Sequence, residues 1–220
     1  MNFAAIMQNL AIWALPVLFA IVLHEVAHGW VADRLGDPTA RWMGRLTLNP
    51  IKHIDPVGTL LIPALLLFFG SPFLFGYAKP VPVDFRRLNR PKRDMVWVAL
   101  AGPAVNLLLA IISTLLLMLA VVLPYGMGWV AKPLALMCQA SIMINMVLCI
   151  FNLLPLPPLD GGRVAVGLLP EPWSYRLAQL ERFGFVIVVV LLLSGALQTI
   201  LAPLLQLSAG NLIDFAMGRP

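Results

Sequence analysis

His24, Glu25 and His28 lie in the stretch LHEVAHGW, residues 23–30, inside one of the most apolar parts of the chain. On a helix, residues four apart share a face, so both imidazoles can reach one metal ion. Glu25 stands beside them without having to bind it. This H-E-x-x-H pattern is the arrangement for zinc-assisted hydrolysis. The ion lowers the pKa of a bound water to near neutral, and the carboxylate takes the proton. Ionisable groups inside membrane helices are costly and mark function. The bland alternative is a hydrogen-bonded cluster that joins helices.

Two histidines leave a zinc site one protein ligand short. Asp160, in NLLPLPPLDGGR, is the other membrane-adjacent acid with a distinctive setting. The proline-rich stretch halts an apolar segment there, and Gly161 and Gly162 permit close backbone approach. A carboxylate oxygen is an acceptable third ligand and leaves the fourth position to water. The expectation is a single Zn2+ ion on His24, His28 and Asp160, with Glu25 as the catalytic base.

These residues must be positioned by membrane helices. The chain has 220 residues, 60% hydrophobic and 11% charged, against about 25% charged in a soluble domain. The apolar residues gather in long runs, which indicates an all-α polytopic membrane protein. The net charge of +5 lies mostly in short segments beside those runs. There it encodes orientation and contact with anionic headgroups, and it gives no basic face for nucleic acid. The first 23 residues lack a basic leader and run straight into the His/Glu cluster, so they read as an uncleaved span and not as a signal peptide. Cys138 and Cys149 match neither a zinc knuckle nor a redox pair and read as small core residues.

Four spans are expected, at about 10–35, 95–123, 134–154 and 183–206. Residues 41–56 read as short strands and turns at the membrane surface. In 171–182, Trp173, Leu177 and Leu180 share a helical face that suits the interface. Residues 57–78 are apolar but interrupted by Pro63 and by GSP at 70–72. If they cross fully, the fifteen Lys and Arg divide six to nine between the two sides. If they form a re-entrant hairpin, thirteen share one side, and only Lys132 and Arg219 lie opposite. Charge bias favours the hairpin and makes that side cytoplasmic. Ligand convergence agrees, since full crossing would put the histidines and Asp160 at opposite faces. The chain is expected to be one domain over 1–220, with a core at 10–165 and an interfacial helix and last span at 171–206. It is expected in the cell membrane, with its site toward the cytoplasm.

HEVAH in one membrane helix, with NLLPLPPLDGG ending a later one, resembles the site-2 protease family of intramembrane zinc metalloproteases. AGPAVN at 101–106 and GYAKP at 76–80 are similar to elements of that family. LNPIKHIDPVGT resembles a segment of its compact members, which lack PDZ and CBS domains. The similarity covers most of residues 20–165. It implies hydrolysis of a peptide bond within or beside the transmembrane helix of a membrane-protein substrate, and its ligand set matches His24, His28 and Asp160. It also implies that Asn152 contacts substrate or the developing oxyanion, which an amide donor can do. A packing hydrogen bond is the alternative for Asn152 and the favoured reading for Asn106 and Asn145.

His53 and Asp55 are expected to hydrogen-bond their own loop in place; the alternatives are support of the site from behind its ligands, a second metal, proton steering or water gating. Gly76, Tyr77 and Ala78, within 73–83, could offer a strand edge to an unwound substrate. A zinc-binding membrane protein without catalysis, a sensor or a helix chaperone, is the competing function. An intact Glu25 argues against it, because metal binding alone does not require that residue. A metal transporter fits less well, since few polar residues line the other spans.

Overall fold

Long apolar runs can satisfy their backbone in lipid only as helices. The computed structural model describes residues 3–61, 65, 68 and 79–219. The chain begins with α1 (Phe3–Arg34), followed by the short α2 (Thr39–Trp42). Two long helices come next, α3 (Pro91–Val121) and α4 (Gly128–Asn152). Then come α5 (Asp160–Leu168), α6 (Trp173–Gln179), α7 (Glu181–Leu193), α8 (Ala196–Leu205) and α9 (Asn211–Ala216). Among the described residues, four stretches are long and apolar enough to cross a membrane: Met7–Arg34, Pro91–Val121, Gly128–Asn152 and Ala196–Ala216. Leu15, Phe19, Leu108, Leu115 and Leu119 point outward and exposed, as lipid-facing side chains do.

α1 and α3 run antiparallel. Asn106 of α3 reaches the carbonyl of Ala20, while Asn89 N–H donates to Leu35 O at 2.8 Å where α1 ends. The chain therefore returns to α3 beside the point where it left α1. Asp37 secures this junction. Its buried carboxylate accepts from the Thr39 backbone N–H and hydroxyl, and from Asp84 N–H at 2.7 Å. α4 turns back along α3, with Asn145 against Asn106 and Ser141 against Ser113. Ala110, Leu117, Cys138, Ile142, Met146, Ala209 and Ala216 form the core at the far end from these junctions. Small residues there let helices approach closely where hydrophobicity gives no net drive. Both cysteines are free and buried, as their setting predicts.

Two regions differ from the sequence expectation. Residues 41–56 begin with the end of α2 and hold a 3-10 turn at Pro50–His53, and no strand is present among the described residues. Side-chain caps take the place of a ladder: Asn49 accepts from Ile51 N–H, and Asp55 accepts from Val57 and Gly58 N–H. The expected fourth span at 183–206 is broken. α7 stops after 13 residues, and Gly195 takes φ +76° before α8 begins. The membrane-length stretch is Ala196–Ala216 instead, with a π turn at Gln206–Gly210 joining α8 to α9. Most of the expected hairpin at 57–78 lies outside the described residues.

α6 carries the amphipathic face expected at the interface. Trp173 is exposed, with the Arg176 guanidinium 5.2 Å above its ring. Arg34 over Trp30 and Arg87 over Trp42 repeat the pairing near the end of α1. Such aromatic and basic residues favour the headgroup level.

The left-handed turn at Gly195 gives a test. Among the described residues no atom lies within 4 Å of a Cβ added there, so the cost of Gly195→Ala comes from backbone conformation. The substitution should destabilise the protein by about 1–2 kcal/mol, read as a lower denaturation midpoint in detergent with helix content unchanged.

Candidate metal centre

α1 presents His24 and His28 one turn apart, toward α3. Val98, Gly102 and Asn106 recur every four residues on α3 and meet them. The Val98 carbonyl accepts a hydrogen bond from His28 Nδ1 at 2.7 Å, and Asn106 Oδ1 accepts one from His24 Nδ1 at 2.6 Å. Both acceptors demand a proton on Nδ1, which leaves the lone pair of each ring on Nε2. The two Nε2 atoms are 3.0 Å apart, and each is 3.3 Å from Asp160 Oδ2. That oxygen is buried and accepts no hydrogen bond among the described residues.

With both imidazoles neutral, three electron-pair donors thus face one another with no proton to share. A cation is the group that satisfies them. A tetrahedral zinc with bonds of roughly 2.0–2.1 Å keeps its ligand atoms about 3.3–3.4 Å apart, close to the separations found here. Two imidazoles and a carboxylate are also a zinc donor set with one position left open. Among the described residues, His24, His28 and Asp160 are the group able to hold a metal ion.

The space for that ion depends on α3. A Cβ on Gly102 would lie 2.4 Å from His28 Nε2 and 2.5 Å from His24 Cε1. Asp160 is delivered by the turn between α4 and α5. A Cβ at Gly161 would meet Leu153 O at 2.2 Å, and one at Gly162 would meet Pro157 N at 2.2 Å. This close folding sets the first residue of α5 against α1.

Glu25 is partly buried, and its Oε2 accepts from Val81 N–H at 2.7 Å. The segment carrying Val81 is also held by buried Arg45, which donates to Lys79 O at 2.8 Å and Pro80 O at 3.3 Å. Lys79 N–H in turn donates to His53 O at 2.9 Å. The His53 ring is buried and donates from Nε2 to Thr47 O, so its bonds hold the loop, as do those of Asp55. Neither belongs to the convergent donor group. At the end of this segment the hydrogen bond from Arg86 draws the Asp84 carboxyl below its usual range; burial opposes this and the Arg86 and Arg87 charges add to it.

Asn152 donates to Leu148 O at 2.9 Å within α4. Gly76, Tyr77 and Ala78 lie outside the described residues. Sequence reasoning passed over Gly102 and took Asn106 for packing. Their spacing of four within AGPAVN, on a helix facing an H-E-x-x-H helix, is the signal that joins them to the site. Gly102→Ala should weaken zinc binding at least about tenfold, the scale seen when groups supporting a ligand are disturbed. Chelator competition on the purified protein measures it, with circular dichroism confirming the helices.

The chain is similar to known proteins named as zinc metalloproteases. Peptidase family M50 matches residues 12–139 and 127–195. YwhC of Bacillus subtilis strain 168, named as a zinc metalloprotease, is 40% identical over 202 residues, 90% of this chain and 88% of YwhC. Rip2 of Mycolicibacterium smegmatis, also named as a zinc metalloprotease, is 34% identical over 82% of this chain and 66% of Rip2. Rip2 of Mycobacterium tuberculosis strain H37Rv is 32% identical with the same coverage. No solved structure matches the chain. The matched residues contain His24, Glu25, His28, Gly102, Asn106 and Asp160 in order, and the chain belongs to peptidase family M50.

Proposed function

We propose that this protein is an intramembrane zinc-dependent endopeptidase that hydrolyses a peptide bond in or near a transmembrane segment of a membrane-protein substrate. The convergence of His24 Nε2, His28 Nε2 and Asp160 Oδ2 within an apolar helix bundle carries the reading. These three atoms would hold the zinc. When bound, the ion polarises the scissile carbonyl and brings the pKa of a bound water near neutral. The Glu25 carboxylate, one residue from the first ligand, takes the proton of that water and later returns it to the leaving nitrogen. Relatives named as zinc metalloproteases support the assignment.

The site faces the cytoplasm in this reading, and residues 57–78 dip into the membrane and return. Charge bias supports this, with thirteen of fifteen Lys and Arg on one side. The bond between Leu35 and Asn89 supports it independently, because the chain enters and leaves the intervening segment at one place. Residues 10–165 form the working core of a single domain. Gly76, Tyr77 and Ala78 are assigned to a strand edge for the unwound substrate, and Asn152 to contact with its carbonyl. His53 supports the site indirectly, by fixing Lys79 and with it the segment that meets Glu25.

Glu25→Gln should retain zinc and lose cleavage by about 10²–10⁴-fold. Comparative proteomics of membrane fractions carrying wild type or variant would identify substrates that persist; equal processing in both overturns the mechanism. Tyr77→Pro should reduce cleavage with zinc content unchanged, since proline cannot donate to an added strand. Unchanged cleavage rules out the strand edge.

A further inference from the structure

Two asparagines, Asn106 at 0% and Asn145 at 1% exposure, are buried where α1, α3 and α4 meet. Their amides form a directed chain. Asn145 Nδ2 donates to Ser141 O at 2.8 Å and to Ser141 Oγ at 3.2 Å. Ser141 O is a backbone carbonyl and can only accept, so the nitrogen of this amide must face it. Asn145 Oδ1 is thereby turned to Asn106, whose Nδ2 donates to it at 2.8 Å and to Ala20 O at 3.2 Å. Ala20 O is again a carbonyl that only accepts. Both hydrogens of the Asn106 amide are used, and its oxygen is left for His24 Nδ1.

We propose that Asn145 is a positioning residue for the metal centre, setting the tautomer of His24 through Asn106. The proposal rests on the zinc reading above. Reversing Asn106 would press its oxygen against Ala20 O and Asn145 Oδ1, two contacts between acceptors. It would also offer an N–H to His24 Nδ1, move the ring proton to Nε2 and occupy the lone pair needed by the ion. Both asparagines are buried, so such mispairing is expensive. Asparagine does this without placing another charge in the membrane interior, where a carboxylate behind His24 would have to be compensated. Asn145 itself hydrogen-bonds to no metal ligand; only its polarity reaches the ion.

The test compares Asn145→Leu with Asn145→Asp in the full chain, in detergent or nanodiscs. Aspartate presents an acceptor to Asn106 whether ionised or protonated, and leucine presents none. Zinc affinity, read by chelator competition, should fall about tenfold or more in the leucine variant and by less than that in the aspartate variant. Wild-type affinity in the leucine variant, or equal losses in both, overturns the proposal. Nitrogen-15 NMR of the metal-free protein provides a readout that needs neither zinc nor a stable leucine variant. The chain has three histidines, and His53→Gln helps assign them. His24 should carry its proton on Nδ1 in wild type and in the aspartate variant; a proton on Nε2 in either overturns the relay. If wild type bound no zinc, the metal reading would fail, while the His24 tautomer would still decide the relay.

Discussion

Two imidazole nitrogens 3.0 Å apart, both turned toward one carboxylate oxygen, repel unless a cation joins them. That unfavourable contact is what the helix bundle is built to hold. In water the three groups would rotate away and hydrate. Between apolar helices each is fixed from behind: His28 by a carbonyl, His24 by an amide, Asp160 by the tight turn that begins α5. The amide behind His24 is itself anchored to the Ala20 backbone carbonyl, which cannot change its role. The cost of burying polarity is thereby converted into direction.

The parts legible in the sequence are those that depend on local spacing. Histidines four apart on an apolar helix declare a common target, and prolines before an isolated aspartate declare a fixed turn. Three of the spans follow from apolar length: Met7–Arg34 and Pro91–Val121 fall within a few residues of expectation, and Gly128–Asn152 begins about one and a half turns early. The fourth does not. Residues 183–206 are predominantly apolar and carry no charge, so mean hydropathy reads through the break at Ser194 and Gly195, which is a matter of backbone angle. The strands expected at 41–56 give way to turns because Asn49 and Asp55 satisfy nearby N–H groups locally. Asn106 and Asn145 are visible in the sequence as buried amides. Asn145 is pointed by the Ser141 carbonyl one turn back on its own helix, but Asn106 is pointed by the Ala20 carbonyl of α1, a partner that no local sequence pattern names.

Glu25 shows how few polar groups serve several needs. Its carboxylate docks the Val81 backbone, and Arg45 and the His53 carbonyl hold the same segment. The base is thus oriented by chain that connects the first and second long helices, the same chain whose ends are tied by Asp37 and Leu35. Any displacement of residues 79–83 must act on the carboxylate directly, because the Val81 N–H is its hydrogen-bonded neighbour.

The separation of the ligands along the chain has a consequence for biosynthesis. Asp160 follows His28 by 132 positions (160 − 28). At a synthesis rate of about 5–20 residues per second, the histidine pair waits roughly 7–26 s for its carboxylate. The first helix therefore reaches the membrane with half a site. The tripod closes only when α4 has folded back along α3 and α5 has begun, so a completed metal centre is a record that insertion went to plan.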